Sequence, residues 1–186
     1  QGTAPRGVLA LGRKLLIADG EDLVELNTDT NSSRVLRSIA GAGAFVGDVL
    51  NDRLYFCTEN ECLEYDGTEV RPWGVPDTAN QPTISAAGAG GLVEGYYQVA
   101  LTLTDAWGRE GGTDKPVVIF AATNSALLVN VPAPPAGYTT NVYVGSVNGG
   151  TLYLQAVADV AKTVNVGIVR DDVQRCTTML LRRPIP

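Results

Sequence analysis

The chain has 186 residues, 45% of them hydrophobic and 18% charged, with 21 glycines, 10 prolines, three cysteines and no histidine, enough to bury the core of one or two domains without disulfide support. The missing histidine removes Ser-His-Asp and Cys-His nucleophile systems, histidine-containing zinc sites and proximal-histidine haem from consideration. Fourteen basic against twenty acidic residues leave a net charge of -6 and no overall basic footprint for nucleic acid.

The N-terminal Gln1-Gly2-Thr3-Ala4-Pro5-Arg6 lacks both a methionine and the layout of a signal peptide. This start reads as that of a processed chain or of a segment of something longer, and the end at Met179-Leu180-Leu181-Arg182-Arg183-Pro184-Ile185-Pro186 as one docked on something else or simply cut there, with truncation the preferred expectation. The longest apolar runs, 117–122 and 127–131, fall far short of the roughly 20 residues of a membrane-spanning helix, so no membrane span is expected.

The first element is a repeat. Residues 11–27 align without gaps on 50–66 at an offset of 39. Leu11/Leu50, Leu15/Leu54 and Glu25/Glu64 are identical, and Leu16/Tyr55, Ile17/Phe56, Val24/Leu63 and Leu26/Tyr65 keep apolar character. Each copy reads as strand, polar turn, strand, and a period near 40 matches one four-stranded propeller blade. Two blade-like repeats are therefore expected over 6–40 and 45–78 within a first domain of residues 1–78. Two blades cannot close a propeller, which takes roughly four to eight; closure by a longer chain, closure by symmetry mates (a trimer of two-bladed subunits) and a simple pair of stacked hairpins stay open. Cys57 and Cys62 flank Thr58-Glu59-Asn60-Glu61, and if this is a hairpin tip they face one another either as two half-buried thiols or as a disulfide.

From 72 to 95 the composition turns to Pro, Gly, Ala and Ser, so the domain boundary is placed near 76–83 and a linker over 79–94. Trp73 reads as a cap on a small β core or as a contact surface. Beyond it Tyr97, Val99, Leu101 and Leu103 alternate with Gln98, Ala100, Thr102 and Thr104 as a half-buried strand. A polar turn over 105–112, strands at 117–122, 127–131, 141–145, 151–157 and 164–168, and the Asn148-Gly149-Gly150 turn follow. This predicts an antiparallel β-sandwich over 95–170 and a terminal extension over 171–186. The fold class expected is all-β: two propeller-blade-like repeats followed by the sandwich.

Little chemistry is legible. The glycine clusters at 41–47 and 88–91 miss the spacing of phosphate-binding loops. The acidic groups at 19–22, at Asp105 with Glu110 and Asp114, and at Asp171-Asp172 lack calcium-loop alternation and read as solvated turns. Tyr96, Tyr97, Tyr138, Tyr143 and Tyr153 offer either a sugar-binding surface or packing. No catalytic residue, metal ligand or cofactor is nominated. The candidate surface or ligand contacts are Trp73, Tyr97, Trp107 and Arg109, and Arg182 and Arg183 are the candidate inter-subunit contacts.

The segment 95–111, with 127–144 and Gly149-Gly150-Thr151-Leu152-Tyr153, resembles the fibronectin type III-like modules of tailed-bacteriophage virion proteins. In these a strand of the form Y-x-V-x-x-T-x-x-D leads into G-R-E, and a later V-Y-V strand precedes a glycine turn and L-Y. The front half, Asp52-Arg53-Leu54-Tyr55-Phe56 leading to Leu63-Glu64-Tyr65-Asp66-Gly67, resembles propeller repeats of phage tail hub and nozzle proteins. The resemblance implies a non-enzymatic structural component of the virion tail whose partners are copies of itself and other virion proteins. The alternative it leaves is a carbohydrate- or receptor-binding module contacting a host surface glycan, as a trimeric propeller lectin or a tail tip would.

Overall fold

The computed structural model describes residues 5–39, 45–78, 81–113 and 115–176. Among the described residues there are fifteen β-strands and no helix, and the chain divides into two compact units, residues 1–73 and 74–186.

The first unit is built from two four-stranded antiparallel meanders. One runs β1 (Pro5–Leu11), β2 (Lys14–Asp19), β3 (Asp22–Asn27), β4 (Ser32–Ser38); the other runs β5 (Val46–Leu50), β6 (Arg53–Cys57), β7 (Cys62–Tyr65), β8 (Val70–Pro72). The 39-residue offset lays β2 on β6 and β3 on β7. Turn chemistry repeats as well. The Asn27 side chain accepts the backbone N–H groups of Asp29 and Thr30 at 2.9 and 3.3 Å, and its counterpart Asp66 accepts those of Thr68 and Glu69 at 2.9 and 3.0 Å. These short side chains compete for backbone donors and so bend the chain at the same place in each copy.

The two meanders stack through opposite faces. Leu16, Ala18 and Leu23 of the first are buried together with Leu54, Phe56, Leu63 and Tyr65 of the second, and Ile39 and Phe45 of the connection complete the core. By the repeat alignment the partners of Leu54, Phe56, Leu63 and Tyr65 are Leu15, Ile17, Val24 and Leu26. Because successive side chains alternate across a strand, these four lie on the far face of the first meander, where their cross-strand neighbours Val8 and Val35 are 52% and 60% exposed.

The second unit is a sandwich of two sheets. β10 (Gly95–Asp105), β11 (Val117–Ala121), β13 (Tyr138–Gly145) and β14 (Leu152–Ala158) form one in the order β11-β10-β13-β14, and β9 (Thr83–Ala87), β12 (Ala126–Val131) and β15 (Lys162–Val166) form the other in the order β15-β12-β9. Tyr97, Val99 and Leu101 of β10 meet Leu127, Val129 and Val131 of β12 between the sheets, with Val142, Val144 and Val166. The alternation of β10 therefore points its apolar set inward as expected.

The chain departs from expectation at three places here. The stretch 79–94 is not a linker throughout: β9 pairs with β12 from Thr83 to Ala87, and Leu92 is buried in the core. Its small residues pack as an edge strand that needs little side-chain volume. β10 is covered on both faces over much of its length, since Ala100 and Thr102 are buried as completely as Val99 and Leu101. The cover includes the start of the expected terminal extension, where Leu154 N–H donates to Gln174 O at 2.8 Å and Cys176 N–H to Leu152 O at 2.9 Å.

The assignment of faces in the first unit predicts unequal losses. Leu63→Ala, which empties the contact between meanders, is expected to cost about 2–5 kcal/mol in urea unfolding, whereas Val35→Ala on the far face changes stability by no more than about 0.5 kcal/mol. Equal losses would refute the packing.

Candidate functional site

In the first unit a charged residue interrupts an otherwise apolar core. Glu25 continues the inward row of Leu23 on β3 and is buried, yet it is surrounded by donors. The Tyr65 hydroxyl of the second meander donates to its Oε2, Arg34 Nη2 lies 2.8 Å away from across the β3–β4 ladder, and Lys14 Nζ lies at 3.5 Å from β2. The same two cations reach across to the β7–β8 turn, Lys14 donating to Gly67 O and Arg34 to Thr68 O at 2.7 Å. A buried carboxylate is tolerable only when its lone pairs are met in this way, and here the partners come from both copies of the repeat. Arg37 and Glu61, 3.0 Å apart, add a second tie between the meanders.

The second meander carries the same constellation on its far face. Glu64 stands at the position of Glu25, Arg53 at that of Lys14, and Arg71 lies opposite Glu64 as Arg34 lies opposite Glu25. Arg71 Nε is 2.7 Å and Arg53 Nη1 3.4 Å from Glu64 Oε1, and Arg71 Nη2 is 2.6 Å from Asp66. The identity of Glu25 and Glu64 in the alignment was the signal available for this group, a charge kept at a strand position between apolar neighbours.

Burial works against ionisation of Glu25, but the hydrogen bonds from Arg34 and Tyr65 and the charges of Arg34 and Lys14 outweigh it and hold the carboxyl below its ordinary value of 4.5. Burial, followed by the adjoining Glu25 carboxylate, pushes the Tyr65 phenol up. Both groups thus keep their donor and acceptor roles at neutral pH.

The proposed contact residues fall in different surroundings. Trp73, 56% exposed, packs its ring on Tyr55 at 5.3 Å between centroids on the far face of the second meander. Trp107 and Arg109 share one corner at the end of β10, where the guanidinium lies 5.4 Å from the indole centroid. Asp105 builds that corner: its Oδ1 accepts the N–H groups of Trp107 and Arg109, both at 2.9 Å, and its Oδ2 takes Arg109 Nε at 2.6 Å. Burial opposes its charge, and the Arg109 side chain and the two amides outweigh burial and lower its titration point. Asp105 is therefore a buried structural carboxylate, not the solvated turn residue expected.

Tyr97 is a correction. It is 3% exposed and its hydroxyl donates to Val93 O at 2.8 Å, so it belongs to the sandwich core and not to an open contact surface. Tyr143 is likewise buried, whereas Tyr96 is exposed on the sheet surface against Phe120 at 5.4 Å. Cys57 and Cys62, directly paired across the β6–β7 hairpin, form a disulfide. Arg182, Arg183 and Asp114 lie outside the described residues.

A polar cluster that the sequence did not signal lies on the outer face of the β10–β13 sheet. Glu110 accepts from the Thr102 hydroxyl and, at 3.0 Å, from Asn141 Nδ2, with Gln174 Nε2 at 3.5 Å from its other oxygen. Tyr143 OH is 3.3 Å from Gln174 Nε2, and burial and then Glu110 raise its titration point. These groups close the 105–113 loop and the 174–176 segment over the sheet. A cavity of about 200 Å³ at the sandwich end is lined by Leu92, Val93, Tyr97, Val147, Ile168 and Val169, smaller than the roughly 300 Å³ at which small-molecule pockets begin. Among the described residues no group of three or more His, Cys, Asp or Glu side chains is placed to hold a metal ion, and no helix is long and apolar enough to cross a membrane.

Fold and surfaces together describe an all-β chain of repeated meanders and a sandwich, in which the buried carboxylates Glu25, Glu64 and Asp105 are each paired with cations. No protein-family model matches the chain, and no curated protein is significantly similar to it.

A carboxyl with a folded titration point below its unfolded one adds stability above the unfolded value and loses it as pH falls through the folded one. Lowering pH from 7 through the region below 4.5 is therefore expected to weaken the first unit, and Glu25→Gln to flatten that dependence in melts followed by circular dichroism. At neutral pH, Tyr65→Phe removes a hydrogen bond to a charged group and is expected to cost about 1.5–3 kcal/mol. A Glu25→Gln melt as pH-sensitive as the wild type would sink the assignment.

Proposed function

We propose that this chain is a non-enzymatic structural protein that works through contacts between sheet faces, and that it belongs to a bacteriophage virion, in the tail at a hub, nozzle, tip or fibre-associated position. The observation that carries the assembly reading is the stacking of the two meanders through opposite faces. Such stacking is heterologous, joining unlike faces, so the same contact can be repeated by another copy. The far face of the first meander, with Val8, Leu15, Ile17, Val24 and Val35, is the kind of contiguous apolar surface that proteins keep for partners. The propeller-blade-like reading of the repeats and the fibronectin type III-like reading of the sandwich give the place in the virion, by resemblance.

The exposed Trp73 on Tyr55 favours a second reading, a carbohydrate- or receptor-binding module, since stacked aromatics can hold a sugar ring. Mass spectrometry of purified virions from the phage encoding the chain tests the first: its peptides are expected in intact particles at many copies, and their presence only in the infected-cell lysate would overturn the placement. On a glycan array the chain is expected to give no repeatable signal. Binding abolished by Trp73→Ala would put the second reading in its place.

A further inference from the structure

The contact between the two meanders is a template for a contact that the chain itself can complete. On one side of that contact stand Leu16, Ala18 and Leu23 with the Lys14/Glu25/Arg34 group; on the other stand Leu54, Phe56, Leu63 and Tyr65 with the β7–β8 turn. Repeat equivalence places a copy of each side on the outside of the first unit. The far face of the second meander carries Tyr55, Cys57 and Cys62 with Arg53/Glu64/Arg71, matching the first side, and the far face of the first meander carries Leu15, Ile17, Val24 and Leu26, matching the second.

We infer that the far face of the second meander docks on the far face of the first meander in a second copy of this chain, head to tail. This rests on the reading of the chain as an assembly protein, though not on its place in a virion. The docking continues the stacking already present, so each interface repeats one chemistry: apolar side chains over most of the area and a carboxylate held between two cations at one end. In the internal contact Lys14 and Arg34 donate to the carbonyls of Gly67 and Thr68; in the contact between copies Arg53, on the β6 counterpart of β2, meets the β3–β4 turn of its neighbour, the counterpart of the β7–β8 turn.

Several positions differ between the two contacts, among them Asp48, opposite Tyr55, where Leu9 packs in the internal one, and one difference falls on the carboxylate group. Leu26 stands where Tyr65 stands, so a neighbour brings no hydroxyl to Glu64. Glu64 is instead paired within its own meander, with the buried Arg71 guanidinium 2.7 Å away and Arg53 Nη1 donating at 3.4 Å. Glu25 by contrast draws on the second meander for one of its donors. A repeated heterologous contact closes when its rotation allows, and at two blades per chain roughly two to four copies complete a ring of the usual blade number.

The experiment reads sedimentation velocity of the full chain and of two variants changed only at exposed positions. Val8→Glu with Val35→Glu spoils the first far face, and Val46→Glu with Trp73→Glu spoils the second. The wild type is expected as a discrete oligomer, and each variant alone as a monomer, with self-association weakened roughly a hundredfold or more by a charge left unpaired in the contact. An equimolar mixture of the two variants is expected to give a 1:1 dimer and nothing larger, because each retains the face the other lacks. Serine at the same four positions provides a milder pair if the glutamates disturb folding by circular dichroism. A monomeric wild type, a variant that still dimerises alone, or a mixture that fails to pair overturns the inference. A chain that stays monomeric but is present in virions leaves the structural reading standing, and a chain that assembles but is absent from virions removes only its placement.

Discussion

Two-residue alternation gives every strand two faces, and the first unit depends on which of them each repeat turns inward. Copies of one sequence motif pack here through opposite faces, so identical positions in the alignment meet different surroundings. Leu15 and Leu54 are the same residue at the same register, yet Leu54 is fully buried and Leu15 lies on a face that is only half covered. The motif must therefore be apolar on both faces, which is why its strands lack the clean apolar-polar alternation of a strand with one side in water. Stacking, turn positions and the placement of the charged groups all follow from this one arrangement.

Glu25 shows how a charge can specify such a contact. A core of leucines and phenylalanine tolerates sliding of one sheet over another with modest loss, since apolar contact has no direction. A buried carboxylate with donors from both meanders does not: displacement takes the Tyr65 hydroxyl away from Glu25, and Gly67 O and Thr68 O away from Lys14 and Arg34, with a hydrogen bond to a charged group lost at about 1.5–3 kcal/mol. The group thus fixes the relative position of the sheets more than it adds to their adhesion. In the sandwich Asp105 has a comparable role on a smaller scale, turning the chain at the end of β10 by collecting two backbone amides and a guanidinium.

The parts legible in the sequence were those with local signatures. The repeat was readable because Leu11, Leu15 and Glu25 recur at one offset, and the β13–β14 hairpin because Asn148 adopts the positive φ of 53° that such turns use. β9 was missed because Ser85, Ala86 and Ala87 carry no strand signature; its pairing with β12 is set by the partner. The outer cover on β10 has no strand-pattern signature: Ala100 and Thr102 look solvent-facing until the adjoining 105–113 loop folds back and the 174–176 segment, distant in sequence, closes beside it. Tyr97 resembles a contact residue by type beside the exposed Tyr96, but its alternation with Val99 places it inward. The Glu25–Tyr65 bond joins residues 40 apart, beyond any local pattern.

The Cys57–Cys62 disulfide acquires a meaning from the face arrangement. It links directly opposed residues of β6 and β7, and a slip of one residue along either strand would exchange its inward and outward sets. Leu63 and Tyr65 would then face outward and Cys62 and Glu64 would enter the core. The bond holds Cys57 and Cys62 opposite one another and excludes that error from the β6–β7 hairpin, so it acts as a register lock. By holding which residues of β6 and β7 face the first meander, one short covalent loop governs the side on which every later contact can be made.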